Sequence, residues 1–174
     1  MSAPLVHSYN LARLGNAGDV VAIEADEAQR AAIAALAGVL SLERFAATVT
    51  LGKLSPSRFQ LTCHLEADVT QACVVTLEPV AARIVRDFTR ELHFMGTGRR
   101  PIAETDLELA VSDEDEPEEI ESLHYDLAGP LVEEFLLALD PYPRSPGVEF
   151  DAARHAAAPP ESPFAVLKSL KSSK

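Results

Sequence analysis

Cysteine and long hydrophobic runs are both scarce in this sequence. Cys63 and Cys73 are the only cysteines in 174 residues. They are too few for a disulfide framework, and their spacing matches no zinc signature. We therefore expect two reduced thiols in the core. No stretch approaches the roughly 20 apolar residues that cross a membrane, and the first residues lack the charged and apolar regions of a signal peptide. These absences predict a soluble, cytoplasmic protein without a membrane partner.

Basic residues are also few. Fifteen lysines and arginines stand against 27 acidic residues, which gives a formal net charge of −12. An anionic protein repels the phosphate backbone, so sequence-independent binding to nucleic acid is disfavoured and a basic protein is the more favourable partner. The chain is long enough for one domain with a single hydrophobic core.

Common catalytic motifs are absent. The sequence has no Gly-x-Ser-x-Gly elbow, Walker loop, dinucleotide-binding glycine fingerprint or His-Glu-x-x-His motif. Its five histidines show no ligand spacing. We therefore expect no catalytic residue, no metal and no cofactor.

Alternation of apolar and polar residues predicts an antiparallel sheet. Residues 42–54 and 59–69 both alternate with period two and are separated by a turn. Cys63 falls on the buried face of the second run and His64 on the solvent face. The spacing in 81–95 admits a helix or a strand, and its β-branched and aromatic residues favour a strand.

Three shorter strands complete the predicted sheet. Residues 6–14 and 19–25 read as the first two, and each ends at turn or capping residues. The apolar, β-branched segment 71–80 predicts a buried strand that ends at the Glu78-Pro79 break.

Two helices are predicted to cover the sheet. The first begins at Glu27, after a capping box formed by Asp26 and Gln29, and ends at Gly38. Its alanine-rich face is expected to pack on the sheet; this face comprises Ala28, Ala31, Ala32, Ala35 and Leu36.

The second helix is predicted to begin after Asp126, with Asp126 as its N-cap and Pro130 in its first turn. A wide apolar stripe marks it as a core helix; the stripe comprises Leu127, Leu131, Val132, Phe135, Leu136 and Leu139. The sequence thus predicts a single α+β domain over residues 1–147, with an antiparallel sheet of about five or six strands covered by two helices.

An acidic segment at 104–121 contains no lysine or arginine. Such blocks are usually flexible and solvated, and the spacing does not match a calcium-binding EF-hand. We expect an acidic loop that binds a basic protein, with Asp113, Glu114, Asp115 and Glu116 as its candidate contacts.

Residues 148–174 are predicted to form a mobile linker followed by an amphipathic tail. Phe164, Leu167 and Leu170 recur every three residues among lysines. This pattern is typical of a docking peptide, and equally of a segment that folds back on its own domain.

Arg83, Arg86 and Arg90 form the densest basic group before the tail. They could contact RNA or a carboxylate. A solvated face that balances nearby acids is the favoured interpretation, because the field of the whole protein is negative.

Several segments, in this order, resemble the YceD family: Cys73-Val74-Val75-Thr76-Leu77-Glu78-Pro79-Val80, the acidic segment, Tyr125-Asp126-Leu127 with Glu133 and Glu134, Leu139-Asp140-Pro141-Tyr142-Pro143, and Pro163-Phe164-Ala165-Val166-Leu167. We interpret eight of these motif residues as structural: Cys73, Leu77, Glu78, Pro79, Asp126, Leu127, Asp140 and Pro141.

The resemblance implies a role in accumulation of large-subunit ribosomal RNA and in ribosome assembly, without a catalytic activity. Many relatives carry Cys-x-x-Cys at the position of Cys73, a pattern that suits a thiolate metal site. Here Thr76 stands at the second position, so we do not extend a metal site to this chain.

The sequence and the resemblance together predict a non-catalytic factor that binds a basic ribosomal protein or the assembling large subunit, with direct RNA contact left open. The alternative is a Mg²⁺-dependent enzyme that processes precursor large-subunit RNA, with carboxylates from the acidic segment and Glu78. A flexible acidic loop would hold reactive groups poorly, which disfavours the alternative.

Overall fold

The computed structural model describes residues 3–96 and 117–148. Its elements, in chain order, are β1 (Ser8–Asn10), a 3₁₀ turn (Leu11–Arg13), β2 (Asp19–Glu24), α1 (Glu27–Ala37), β3 (Ser41–Lys53), β4 (Arg58–Ala72), β5 (Pro79–Phe94), β6 (Glu118–Ile120), β7 (His124–Asp126) and α2 (Ala128–Ala138). The predicted α+β class is confirmed.

The strands in the described residues form two sheets. The main sheet has five strands in the order β2-β3-β4-β5-β6, while β1 and β7 form a separate two-stranded ribbon. The pairings from β2 to β5 are antiparallel, as predicted. The pairing of β5 with β6 is parallel, whereas the sequence predicts an antiparallel sheet.

The hairpin of β3 and β4 has the alternation that the sequence predicts. Phe45, Val49, Leu61 and Leu65 belong to the buried face, and each is at most 1% exposed. Cys63 faces the same core, and His64 faces solvent. Residues 81–94 of the ambiguous segment also extend as a strand within β5, as their β-branched and aromatic content favours, and Met95 follows the end of the strand.

The capping box of α1 is present. The Asp26 carboxylate accepts from the Gln29 N–H at 2.8 Å, the Gln29 side chain accepts from the Asp26 N–H at 2.9 Å, and Gly38 ends the helix in the left-handed conformation. The predicted packing face is wrong, because Ile33 and Ala34 are the buried residues of α1 and the alanine face lies exposed. Alanine on every side of the helix leaves the one inward branched side chain, Ile33, to set its orientation.

Helix α2 contributes large apolar side chains to the core. Leu131 and Phe135 have no exposed surface, and Phe135 meets Phe45 of β3 edge to face, with ring centroids 5.7 Å apart. Leu127 and Val132 are also buried, while Leu136 and Leu139 are partly buried and pack against the same core. The predicted stripe is confirmed, and the core lies on one face of the main sheet.

Asp126 is not the N-cap of α2, contrary to prediction. It is the last residue of β7, and Leu127 takes the cap position without a side-chain hydrogen bond. The Asp126 carboxylate nevertheless accepts from the Ala128 N–H at 3.1 Å and from the His7 N–H at 2.7 Å. One side chain thus fastens the N-terminal segment to the start of α2, which agrees with a structural role for Asp126.

Three predicted boundaries are corrected. Segment 71–80 is not a buried strand, because β4 ends at Ala72 and β5 begins at Pro79. The first strand shortens to β1, since the Leu11 N–H bonds to the Leu123 carbonyl at 2.8 Å and the chain turns there. The end of the predicted acidic loop contains β6, whose Ile120 is buried. The rest of that loop, 104–116, lies outside the described residues.

Candidate functional site

Two loops that carry resemblance motifs meet at one end of the main sheet. The first, 73–78, joins β4 to β5, and the second, 140–148, follows α2. The Gln71 side-chain amide donates to the Asp140 carbonyl at 3.0 Å, the Val74 N–H to the Pro143 carbonyl at 2.9 Å, and the Ser145 N–H to the Cys73 sulfur at 3.4 Å. We call residues 73–78 and 140–148 the paired loops.

Internal hydrogen bonds fix the first of the paired loops. The Cys73 N–H donates to the Glu78 carbonyl at 2.8 Å, and the Leu77 N–H donates to the Cys73 carbonyl at 2.9 Å. The Thr76 hydroxyl donates to the Glu78 carboxylate at 3.3 Å. Since both ends of the loop are also anchored in the β4–β5 ladder, its backbone has little freedom.

The Cys73 sulfur lies where the paired loops meet and accepts a hydrogen bond from the Ser145 N–H at 3.4 Å. The side chain has no exposed surface. The Thr76 hydroxyl and the backbone N–H groups of Ser145, Thr76 and Val75 lower the pKa of the thiol to about 6. Cys63 shows the opposite effect, because burial raises its pKa to about 11. These donors favour the thiolate form of Cys73, whereas Cys63 is a neutral core thiol.

Cys73 should make the stability of the protein depend on pH. Between the folded pKa of about 6 and the ordinary value of 9.0, the folded thiol is ionised while the unfolded one keeps its proton. Unfolding then takes up a proton, so the free energy of unfolding rises with pH across this window. The stability advantage of the wild type over Cys73→Ala should grow from pH 6 to pH 9 and level off above it.

Urea unfolding of both proteins at several pH values measures this difference. Cys63→Ala is the matched control, because its difference from the wild type should stay constant at pH values well below 9.0. A Cys73→Ala difference that does not change with pH would rule out the thiolate.

Stoichiometric zinc in the purified protein would contradict the purely structural role that we predict for Cys73.

Three apolar side chains of the paired loops point to solvent. Leu77 is 77% exposed, Tyr142 70% and Val74 47%. The hydrogen bond between Val74 and Pro143 brings the Tyr142 segment beside the first loop. Leu77 also has a φ of +63°, a left-handed conformation that leucine rarely adopts. The sequence predicts a structural role for Leu77 and does not single out Tyr142, because a residue pattern does not show which loop side chains are left uncovered.

The three candidate RNA-contacting arginines do not form one patch. Arg83 pairs in register with Asp68, and its guanidinium lies 3.0 Å from the Glu66 carboxylate on the solvent face of the sheet. Arg86 and Arg90 pair in register with Leu65 and Leu61 and so point to the helix-bearing face. Strand alternation separates Arg83 from the other two residues.

Carboxylates surround two of these arginines. Arg90 lies 2.6 Å from Glu133 and 3.7 Å from both Glu118 and Glu134. Glu66 bridges Arg83 and Arg44, and the hydrogen bond from Arg83 helps to keep the pKa of the Glu66 carboxyl below its usual value. Within the described part of the chain, Arg86 is the member of the trio without an ion pair. Glu133 and Glu134, which belong to the resemblance motif, therefore serve to hold β5 against α2.

A histidine–carboxylate pair lies on the solvent face of the sheet and was not found from sequence. His64 Nδ1 is 2.6 Å from the Asp87 carboxylate, and this hydrogen bond raises the pKa of His64. Register alone brings the two residues together, since His64 and Asp87 are direct partners across β4 and β5. The pairing of two strands was predictable, but not its register.

Several predicted site residues cannot be placed in the fold. The acidic contacts Asp113, Glu114, Asp115 and Glu116 and the tail residues Phe164, Leu167 and Leu170 lie outside the described residues. Among residues 3–96 and 117–148, no group of three histidine, cysteine or acidic side chains could hold a metal ion. No helix in those same ranges is long and apolar enough to cross a membrane.

Comparison with known proteins gives one match. A family model described as "Large ribosomal RNA subunit accumulation protein YceD" matches residues 61–171, a range that includes both paired loops. Comparison with curated proteins and with solved structures found no match. Because the match covers well over half of the 174 residues, this chain belongs to the YceD family.

Proposed function

We propose that this protein supports the accumulation of large-subunit ribosomal RNA as a non-catalytic cytoplasmic factor that binds a basic ribosomal protein or the assembling large subunit. Family membership supports the role in accumulation, as the family description names it. The net charge of −12 supports a basic protein as the direct partner, because a polyanion is repelled by naked RNA.

The positions and ion pairs of the arginines on β5 support a protein, rather than RNA, as the direct partner. Arg83 and Arg90 point to opposite faces of the sheet, and both are already paired with carboxylates. Phosphate binding by either residue would first have to break these ion pairs. The described surface therefore favours a protein contact over a phosphate contact.

The acidic segment and the tail would divide the work of binding. In this proposal, Asp113, Glu114, Asp115 and Glu116 attract the basic partner, and Phe164, Leu167 and Leu170 provide apolar anchors. This arrangement gives an anionic protein a route to an RNA-rich particle through the proteins of that particle.

Binding measurements against two probes test the proposal. We expect the protein to bind purified large-subunit assembly intermediates and to bind protein-free large-subunit RNA much more weakly. An Arg83, Arg86, Arg90 triple alanine variant should bind the intermediates as the wild type does. A matched control is the Arg13, Arg30, Arg58 triple alanine variant, which makes the same charge change outside β5. Tight, salt-sensitive binding to naked RNA that only the first variant loses would overturn the protein-partner proposal.

The enzymatic alternative predicts a different result. Purified protein incubated with precursor large-subunit RNA and Mg²⁺ should leave the RNA intact if the protein is a binding factor. Cleavage that disappears with Glu78→Gln would favour the nuclease. Glu78 accepts a hydrogen bond from Thr76, so its carboxylate is partly occupied by the loop itself.

A further inference from the structure

The paired loops expose apolar surface that the fold does not use. Leu77 and Tyr142 are the two most exposed large hydrophobic side chains in the described part of the chain, at 77% and 70%. Single exposed apolar residues are ordinary, but here three such residues lie on two loops that are joined by hydrogen bonds. Because these three side chains stay exposed in the folded protein, they contribute little to its stability.

Leu77 adds a conformational cost to this exposure. Its φ of +63° is unfavourable for a residue with a Cβ atom, and glycine or asparagine adopts this region more easily. A side chain that is 77% exposed returns almost no packing energy to offset that cost. Strained and exposed residues of this kind are common at binding sites.

Hydrogen bonds hold the surface in one shape before a partner arrives. The first loop is closed by the Cys73–Glu78 and Leu77–Cys73 backbone bonds, and the second is tied to it through Pro143 and Ser145. The Asp140 carboxylate also accepts from the Tyr142 N–H at 2.9 Å, which fixes the backbone that carries the tyrosine. A preformed surface loses less conformational entropy on binding.

The charges around this surface indicate the chemistry of its partner. Glu78 and Asp140 contribute two carboxylates to the paired loops, against the single cation of Arg144. An apolar surface with a negative surround is complementary to a basic segment that carries an apolar or aromatic side chain.

We propose that the paired loops are a docking surface for a basic segment of a large-subunit ribosomal protein, with Leu77 and Tyr142 as the apolar anchors. The proposal rests on the proposed function and adds a second, rigid contact to those of the acidic segment and the tail. A second copy of this chain fits less well, because it would bring two negative surfaces together.

Substitution of the two anchors tests the proposal. Leu77→Asn removes the apolar side chain while suiting the left-handed backbone, so the melting temperature should be unchanged or higher. Combined with Tyr142→Ala, it should weaken binding to purified large-subunit assembly intermediates roughly 10- to 100-fold. Leu36→Ala is the matched control: Leu36 is a leucine on α1 that is 56% exposed, and its variant should bind as the wild type does.

Unchanged affinity of the double variant would overturn the docking surface. The proposed function would still stand if neutralisation of the acidic segment weakened binding in the same assay. If the wild type fails to bind the intermediates at all, the proposed function itself fails, so the two outcomes are distinguishable.

Photo-crosslinking identifies the occupant. The full chain with Tyr142→p-benzoylphenylalanine should crosslink to a basic ribosomal protein when it is irradiated with the intermediates. A crosslink to RNA, to a second copy of the chain or to its own tail would each overturn the proposal, since each places another occupant on the loops.

Discussion

Phe135→Ala should lower the free energy of unfolding by about 3 to 5 kcal/mol, which is enough to unfold much of a domain of ordinary stability. The ring of Phe135 has no exposed surface and packs edge to face against Phe45 of β3. Truncation removes the buried area of the ring and leaves a cavity between α2 and the sheet. The aromatic contact would be lost as well, and Phe45 would keep only part of its packing.

Chemical unfolding of Phe135→Ala beside Leu137→Ala measures this effect. Leu137 lies on the same helix and is 68% exposed, so its substitution should change stability by no more than about 0.5 kcal/mol. The comparison separates core packing from helix propensity, since both variants place alanine in α2. A Phe135→Ala protein that melts within a degree or two of the wild type would show that the core does not depend on this ring.

The strands were predictable because their two faces meet different surroundings. In β3 and β4 one face meets the helices and the other meets water, so polarity alternates with the pleat and shows both the strand and the direction of Cys63. The parallel partner β6 was not predictable, because three residues within an acidic run carry almost no periodic signal.

The errors on the helices have a common origin. Alanine lies all around α1, so apolar spacing cannot choose a face, and the position of Ile33 decides it. Asp126 has the composition of an N-cap, but its carboxylate also holds the N-terminal segment through His7, which keeps Asp126 in β7. In α1 the local pattern is ambiguous and a tertiary contact decides the face, while at the start of α2 a tertiary contact overrides a local preference.

The candidate site shows the same limit. The sequence drew attention to Cys73, Leu77 and Asp140 through resemblance, yet it did not show that residues 73–78 and 140–148 join across the end of the sheet. Nor could it show that Arg83 and Arg90 face opposite ways, because that depends on the strand assignment of an ambiguous segment. Long-range contacts place these residues, and they leave no local pattern in the chain.

The acidic segment and the tail should affect different steps of binding to large-subunit assembly intermediates. Exposed charges act at a distance, so they raise the association rate, whereas buried apolar side chains mainly slow dissociation. Neutralising Asp113, Glu114, Asp115 and Glu116 should therefore slow association roughly 10-fold or more at low salt and flatten its salt dependence. Phe164→Ala should leave association nearly unchanged and speed dissociation roughly 10- to 100-fold.

Surface-binding kinetics at several salt concentrations resolve the two effects. Above roughly 0.15 M salt the Debye length is about 8 Å or less, so the wild type and the neutralised variant should associate at similar rates. The faster dissociation of Phe164→Ala should persist under the same conditions. Glu24 and Glu27 are exposed residues on either side of the start of α1, far along the chain from the acidic segment, and their neutralisation controls for net charge. The two variants are compared by the decrease in association rate for each carboxylate removed. If that decrease is the same in both, the net charge of the whole protein sets the association rate. The acidic segment would then have no special role.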